Sequence, residues 1–193
     1  MPHRVPPAPR LVAVKNRFQD PCQLRLRPAL GGVPAYVAGR PAAPVEGLVT
    51  YKVSSNENPY PPLPSVLSAI SDAAGAANRY PDMSNTGLKA AIGAFHGFDA
   101  DCVTVGPGST GVLVQLIQAL CDPGDEVVFA WRSFEAYPII VKLAGAVPVM
   151  VPLTASGEHD LEAMAAAVTD RTKLVIICTP NNPTGPIVTD AAA

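Results

Sequence analysis

A loop near the carboxyl end of the sequence carries the side chains best suited to bind a ligand. Residues 179–186 read Thr-Pro-Asn-Asn-Pro-Thr-Gly-Pro and follow the apolar run 174–178, which predicts a buried strand. Ligands of open α/β sheets bind at the carboxyl ends of strands. An asparagine amide offers both donors and an acceptor there without carrying a charge. The pattern predicts a ligand-binding loop, and an ordinary turn rich in Pro, Asn and Gly is the alternative.

A second loop has the composition of a phosphate-binding loop. Residues 106–111 read Gly-Pro-Gly-Ser-Thr-Gly and lie between a predicted strand (102–105) and a predicted helix (110–120). Glycines let the backbone approach a ligand closely, and free N–H groups at a helix N-terminus attract phosphate. Ser109 and Thr110 add hydroxyl donors. The alternative is a tight turn between strand and helix with no ligand.

The same six residues also satisfy the pattern G-x-G-x-x-G, so an NAD-dependent oxidoreductase is a second hypothesis. That class of enzyme needs an acidic residue at the end of the second strand to bind a ribose. The predicted strand 126–130 is followed by Trp131 and Arg132, and the nearest acid beyond is Glu135. An aromatic residue is a poor ribose ligand but a suitable face for a flat pyridine ring, so the dinucleotide hypothesis is disfavoured.

Apolar periodicity predicts the elements that position these loops. Helices are expected over 65–78, 86–95, 110–120, 138–144 and from the capping Asp160 to 168, and strands over 102–105, 126–130, 147–151 and 173–178. Strands of continuous Val and Ile that alternate with helices predict a doubly wound α/β fold with a parallel sheet covered on both faces. Residues 1–23 lack periodicity and are expected to be a disordered extension.

Five short motifs carry a family resemblance. They are Ser-Ser-Asn-Glu-Asn-Pro (54–59), Asn-Arg-Tyr-Pro-Asp (78–82), Gly-Pro-Gly-Ser (106–109), Trp-Arg-Ser-Phe-Glu-Ala-Tyr (131–137) and the loop 179–185. In order and rough spacing they resemble the histidinol-phosphate aminotransferases, and most closely the related aromatic amino acid (phenylalanine) aminotransferases. These are fold-type-I enzymes that use pyridoxal 5'-phosphate (PLP). The resemblance covers about residue 24 to the end of the chain.

The resemblance implies a role for seven residues of this sequence. Ser109 and Thr110 would bind the PLP phosphate, Phe134 would stack on the pyridine ring, and Asn182 would donate to its 3-oxygen. Tyr80 would reach the cofactor phosphate of the other subunit, so the partner is a second copy in a homodimer. Tyr36 and Asn56 would lie near the substrate, an amino acid or a 2-oxo acid. For Phe134, Tyr80, Tyr36 and Asn56 the alternative is an ordinary packing or surface residue.

The resemblance further implies an aspartate-aminotransferase-like fold whose large domain is truncated. Residues 24–80 would form an arm and part of a small domain, and residues 81–193 part of the PLP-binding large domain. The family's catalytic lysine follows the Asn-Pro-Thr-Gly segment, so we expect it beyond Ala193 and expect this chain alone to be inactive. A non-catalytic relative of the PLP fold therefore stays open as an alternative.

The sequence departs from the family pattern at two places that concern the site. An acidic residue usually follows Gly-Ser in the phosphate loop, where this chain has Thr110 and Gly111. The family's Pro-Thr pair before the stacking aromatic is replaced by Arg132 and Ser133. The segment 131–135 (Trp-Arg-Ser-Phe-Glu) favours the aromatic amino acid branch over a histidinol-phosphate aminotransferase.

Composition is that of a globular enzyme without a nucleic-acid or membrane partner. The 193 residues are 48% hydrophobic and carry a net charge of −2, so no basic surface for nucleic acid is expected, and no apolar run is long enough for a bilayer. The four cysteines show no paired spacing, which predicts free thiols in the cytoplasm. The three histidines show no metal-binding pattern.

Overall fold

The described residues form five α-helices and a three-stranded sheet. The computed structural model describes residues 27–33, 43–51 and 56–189. The helices are α1 (Pro64–Ala74), α2 (Thr86–His96), α3 (Gly108–Leu120), α4 (Tyr137–Ala144) and α5 (Leu161–Ala166), and the strands are β1 (Glu126–Trp131), β2 (Val147–Pro152) and β3 (Thr172–Ile176). Short 3₁₀ helices cover Pro28–Gly32 and Ala100–Cys102.

The sheet is parallel, with β1 in its centre and the order β2-β1-β3. Glu126 pairs with Val147 and Trp131 with Pro152 along one side. Along the other side Val127 pairs with Leu174 and Phe129 with Ile176, after an irregularity beside Glu126. Because all three strands run the same way, their carboxyl ends lie at one edge of the sheet.

Successive residues of β1 face opposite sides of the sheet, and each side has its own core. Val127 and Phe129 pack with α3 and α4 through Ile117, Tyr137 and Val141. Val128 and Ala130 pack with Met164 of α5 and with Val151. Helices therefore cover both faces, which confirms the predicted doubly wound α/β architecture.

Local signals define the ends of several helices as the sequence predicts. The Asp160 carboxylate accepts a hydrogen bond from Ala163 N at 2.9 Å and caps α5. Proline lies in the first turn of α1 and α4, where its missing N–H costs no hydrogen bond. Gly145 ends α4 with a φ of 92°, a conformation that disfavours residues with a Cβ.

The amino ends of β1 and β3 are joined by a buried carboxylate. Glu126 accepts from the Thr169 hydroxyl at 2.6 Å and from Arg171 Nε at 3.0 Å, and it forms an ion pair with the Arg171 guanidinium. The Thr169 hydrogen bond and then Arg171 hold the pKa of Glu126 below that of an ordinary glutamate. This contact fixes the edge of the sheet opposite the carboxyl ends.

One predicted element is wrong. Residues 102–105 were expected to form a strand, but Cys102 ends a 3₁₀ helix and residues 103–105 pair with no strand among the described residues. Val103 has extended backbone angles, φ −104° and ψ 123°. A local extended conformation becomes a strand only when a neighbour supplies hydrogen bonds, and periodicity cannot report that neighbour.

Residues 56–105 form a helical region that contains α1, α2 and the 3₁₀ turn Ala100–Cys102. The Asp82 carboxylate accepts from Thr86 N at 2.7 Å and from Ser84 N at 2.9 Å, and so fixes the first turn of α2. α2 packs on the 3₁₀ turn, where a Cβ on Gly93 would lie 2.6 Å from the Phe98 carbonyl oxygen. Only a glycine allows this approach.

Some predictions fall outside the described residues or are not tested by the fold. The extension 1–23 and Tyr36 lie outside the described residues. The proposed division at residue 80 stays a prediction. No described helix has the length and apolar character needed to cross a membrane. The described cysteines, Cys102, Cys121 and Cys178, are free thiols.

Candidate functional site

Three segments are directed toward the carboxyl edge of the sheet. Residues 132–136 follow β1, and residues 177–186 follow β3. α3 reaches the amino end of β1 through the short connection 121–125, so the helix runs back along the sheet. Its 13 residues span about 20 Å. The N-terminus of α3 and the two loops therefore lie toward the same edge.

The loop before α3 has the backbone geometry of an anion site. Gly108 has a φ of 73°, and its N–H donates to the Gly106 carbonyl oxygen at 2.8 Å. A Cβ on Gly111 would lie 2.7 Å from Cγ of Pro107, so the third glycine is required by close packing of the proline ring. The sequence pattern of glycines thus has a structural cause that is independent of any dinucleotide.

Ser109 and Thr110 lie in the first turn of α3 and are exposed. Neither hydroxyl has a hydrogen bond to another group in the described part of the chain, and the first turn contains no acidic residue. The unpaired N–H groups and the positive end of the helix dipole favour an anion at this position. Thr110 is uncharged and replaces the acidic residue of the family pattern, so no carboxylate offsets the positive potential of the helix N-terminus.

Phe134 is half-buried at the end of β1 and packs against the core cluster on that face. Its ring meets Tyr137 edge-on, with centroids 5.5 Å apart and planes at 86°, and Tyr137 meets Phe129 at 5.6 Å. Burial, and then the Cys178 thiol, raise the pKa of Tyr137 well above that of an ordinary tyrosine. The T-shaped contact with Tyr137 fixes the Phe134 ring on one side, and the remainder of the half-buried ring is exposed.

The two asparagines of the loop after β3 have different surroundings. Asn182 is half-buried, and its side chain has no hydrogen bond to any described residue. Asn181 is only 3% exposed, and its amide is bonded on both sides: Oδ1 accepts from Ser133 Oγ at 2.7 Å, and Nδ2 donates to Arg132 O at 3.2 Å and Thr184 Oγ1 at 2.7 Å. Sequence reasoning named Asn182 alone and missed Asn181 and Ser133.

The basic residue at the end of β1 is engaged by its neighbours. Arg132 forms an exposed ion pair with Glu135 at 2.7 Å and lies over the Trp131 ring, 5.5 Å from its centroid. Glu135, the nearest acid to this strand end, is therefore held by Arg132.

The remaining predicted residues are not brought to this edge by any described contact. Tyr80 is 97% exposed and Asn56 is also exposed. The described lysines also lie elsewhere: Lys89 is on α2, Lys173 is at the amino end of β3, and Lys142 donates to the Gly32 carbonyl oxygen at 3.0 Å. Of the predicted set, Phe134 and Asn182 follow β1 and β3 at the carboxyl edge, and Ser109 and Thr110 lie in the first turn of α3, which is directed toward that edge.

Most of the chain matches a known protein family. Residues 50–192 match the family model for aminotransferase class I and II. The chain is 54% identical over 164 residues to an aromatic amino acid aminotransferase of Streptomyces avermitilis and 56% identical over 164 residues to that of Streptomyces coelicolor. Each alignment covers 85% of this chain and 45% of the relative, so the chain spans less than half the length of these relatives.

Solved structures agree with the fold. A histidinol-phosphate aminotransferase from Sinorhizobium meliloti in complex with pyridoxal-5'-phosphate superposes with a TM-score of 0.62 at 33% identity, covering 67% of this chain and 35% of that one. An N-succinyldiaminopimelate aminotransferase from Mycobacterium tuberculosis gives 0.65 at 32% identity, covering 72% and 39%. The predicted fold type I is therefore confirmed.

Proposed function

Because the chain belongs to the aminotransferase class I and II family, we propose that it forms the part of a PLP-dependent aminotransferase that binds the phosphate and ring of the cofactor. The family implies PLP dependence, and the NAD-dependent alternative is therefore set aside. The single observation that carries the proposal is the unpaired first turn of α3, which has exposed hydroxyls and no acidic residue and is directed toward the strand ends followed by Phe134 and Asn182.

The residues at this edge fit the chemical groups of PLP. Ser109, Thr110 and the first N–H groups of α3 would bind the phosphate, because a helix N-terminus without acidic residues favours a dianion. Phe134 would offer an aromatic ring for stacking, and its T-shaped contact with Tyr137 fixes the orientation of that ring. Asn182 would donate to the ring 3-oxygen.

In the reaction class, PLP supplies an electron sink that stabilises negative charge at the substrate α-carbon. The contribution of this chain's own residues would be binding and orientation. Ser109 and Thr110 would hold the phosphate, and Phe134 and Asn182 would contact the ring. We assign no catalytic residue, since the lysines of the described residues lie away from this edge.

We propose an aromatic amino acid as amino donor and a 2-oxo acid as acceptor. The support is the name shared by relatives that are 54% and 56% identical to this chain, together with Arg132 and Ser133 in place of the Pro-Thr pair. Histidinol phosphate is the second candidate donor, supported by the similarity to the Sinorhizobium meliloti structure. Asn56 and Tyr36 remain proposed substrate contacts, with Asn56 exposed and available.

We also propose that the complete site needs a second copy of the chain. Tyr80 is almost fully exposed, as a side chain that extends into a neighbouring subunit would be, and the apolar Met83 three residues later is exposed as well. The expected result is that Tyr80→Phe weakens PLP binding in the homodimer but leaves the free energy of unfolding unchanged. Equal PLP affinity of the variant and the parent would contradict this role.

The cytoplasm is the proposed compartment. The described cysteines are free thiols although Cys102 is exposed, as a reducing environment would maintain them.

Titration with PLP tests the cofactor proposal. Equilibrium dialysis of the purified chain should give saturable binding, and the double variant Ser109→Ala/Thr110→Ala should weaken it by about tenfold or more, since hydrogen bonds to charged groups contribute about 1.5–3 kcal/mol. Ser68→Ala, an exposed serine of α1, is the matched control and should bind as the parent does. Unchanged affinity of the double variant would refute the phosphate assignment.

A further inference from the structure

A buried amide connects the two loops that carry the proposed ring contacts. Asn181 lies in the loop after β3, and all hydrogen-bond partners of its side chain except Thr184 lie in the loop after β1, 48 or 49 residues earlier in the chain. Asn181 is 3% exposed and Ser133 1% exposed. Buried polar groups are stable only when paired, so these contacts fix one arrangement of the two loops.

The amide orientation is set from both sides. The Ser133 hydroxyl donates to Oδ1 at 2.7 Å, so the NH₂ group must face Arg132 O and Thr184 Oγ1. Thr184 Oγ1 in turn donates to Gly157 O at 2.8 Å, which ties the arrangement to the loop between β2 and α5. The loops that follow β1, β2 and β3 are therefore linked through the side chains of Asn181 and Thr184.

Each end of this network is adjacent in sequence to a proposed ring contact. Ser133 precedes Phe134, and Asn181 precedes Asn182. We propose that Asn181 and Ser133 are positioning residues that set the separation between the Phe134 ring and the Asn182 amide, and so hold the cofactor ring between them. This inference rests on the proposed function. Asn181 and Ser133 act through their neighbours and touch no ligand.

The decisive variant is Asn181→Asp, which preserves size but loses both donors. A carboxylate oxygen would face the Arg132 carbonyl oxygen, and the two loops would separate. We expect the affinity for PLP to fall about tenfold or more, while the affinity for inorganic phosphate, held by Ser109 and Thr110, stays unchanged. A purely structural defect would weaken the binding of both ligands together.

The pair Thr184→Val and Thr184→Ser tests the same network at an exposed position where folding is not at risk. Valine removes the hydroxyl that accepts from Asn181, and serine retains it. Thr184→Val should lower the PLP affinity about threefold to tenfold with unchanged phosphate affinity, and Thr184→Ser should restore the parent value. If Asn181→Asp does not fold, as judged by Trp131 fluorescence, this pair decides.

The outcomes separate the inference from the proposed function. If the parent binds PLP and both Asn181→Asp and Thr184→Val bind it equally well, the positioning role is refuted while the cofactor site stands. Parallel losses of PLP and phosphate affinity also refute it. If the parent binds phosphate but shows no added affinity for PLP, the proposed ring contacts themselves are wrong, and the positioning role falls with them.

Discussion

Residues 56–105 and residues 108–188 contain similar apolar side chains but bury them very differently. In α1 and α2, Gly93 is the one buried residue, and Ile70 and Phe95 are 60% and 84% exposed. In the sheet region Val127, Val128 and Phe129 are fully buried between two helical layers. The first region forms helices from local signals, whereas the second forms a core from contacts distant in sequence.

This difference indicates where binding chemistry can be held rigidly. Side-chain positions at the carboxyl edge are fixed by buried neighbours, such as Tyr137 beside Phe134 and Ser133 beside Asn181. The exposed apolar faces of α1 and α2 have no such neighbours in the described residues. Rigid ligand contacts are therefore expected in the sheet region, and subunit contacts in the helical region.

Truncating one phenylalanine in each region should give the largest difference in stability between the two regions. Phe129→Ala should lower the free energy of unfolding by about 3–5 kcal/mol, because it leaves a cavity in the core. Phe95→Ala should change it by less than about 0.5 kcal/mol, as exposed substitutions do. Urea unfolding followed by fluorescence of Trp131, the single tryptophan, measures both. Equal losses would mean that α2 is packed as tightly as the sheet.

Glycine-to-alanine substitutions should change the free energy of unfolding in opposite directions in the two regions. Gly111→Ala places a Cβ 2.7 Å from Pro107 and should destabilise the sheet region by about 1–3 kcal/mol, with weaker PLP binding. Gly87→Ala in α2 meets no atom within 4 Å and should stabilise that helix by about 0.5 kcal/mol. Thermal unfolding by circular dichroism compares them. A neutral Gly111→Ala would contradict the close packing of Pro107.

Acid should weaken both regions through different carboxylates. Glu126 and Asp82 both have a lowered pKa, Glu126 from Thr169 and Arg171, and Asp82 from the N–H groups of Thr86 and Ser84. A lowered folded-state pKa gives stability that is present above the unfolded-state pKa, about 4 for these groups, and is lost as pH falls through the folded-state value.

The matched variants separate the two acid effects. Glu126→Gln should flatten the acid limb of sheet stability measured by Trp131 fluorescence, and Asp82→Asn should flatten the acid loss of helical signal from α2. Each variant should leave the other region's pH profile unchanged. A single shared profile would show that the two regions unfold as one unit.

The sequence predicted most elements because their signals are local. Periodicity gave α2 to α5 and the three strands to within a few residues, and Asp160 was recognised as a cap. It failed at residues 102–105, where a strand depends on a neighbouring strand. The sequence also could not predict that the apolar face of α1 is exposed, since an amphipathic pattern does not indicate whether a partner covers that face.

At the candidate site, sequence motifs identified the proposed ligand contacts, whose polar groups have no partner in the described residues. They missed the buried residues proposed to position those contacts. Ser109, Phe134 and Asn182 belong to recognisable segments. Ser133 and Asn181 are 48 residues apart, and each alone is typical of a polar loop. Their importance comes from mutual burial, which only the folded chain reveals. Motif spacing therefore cannot predict that Asn181, next to the recognised Asn182, is the buried one of the two.

Amide hydrogen exchange with and without PLP tests the central claim most directly. The account predicts slower exchange in residues 106–112 and 178–186 when PLP is added, with no change in α2. Inorganic phosphate should protect only the first of these segments. Protection that appears in α2 but is absent from residues 106–112 would contradict a cofactor site at the carboxyl edge of the sheet.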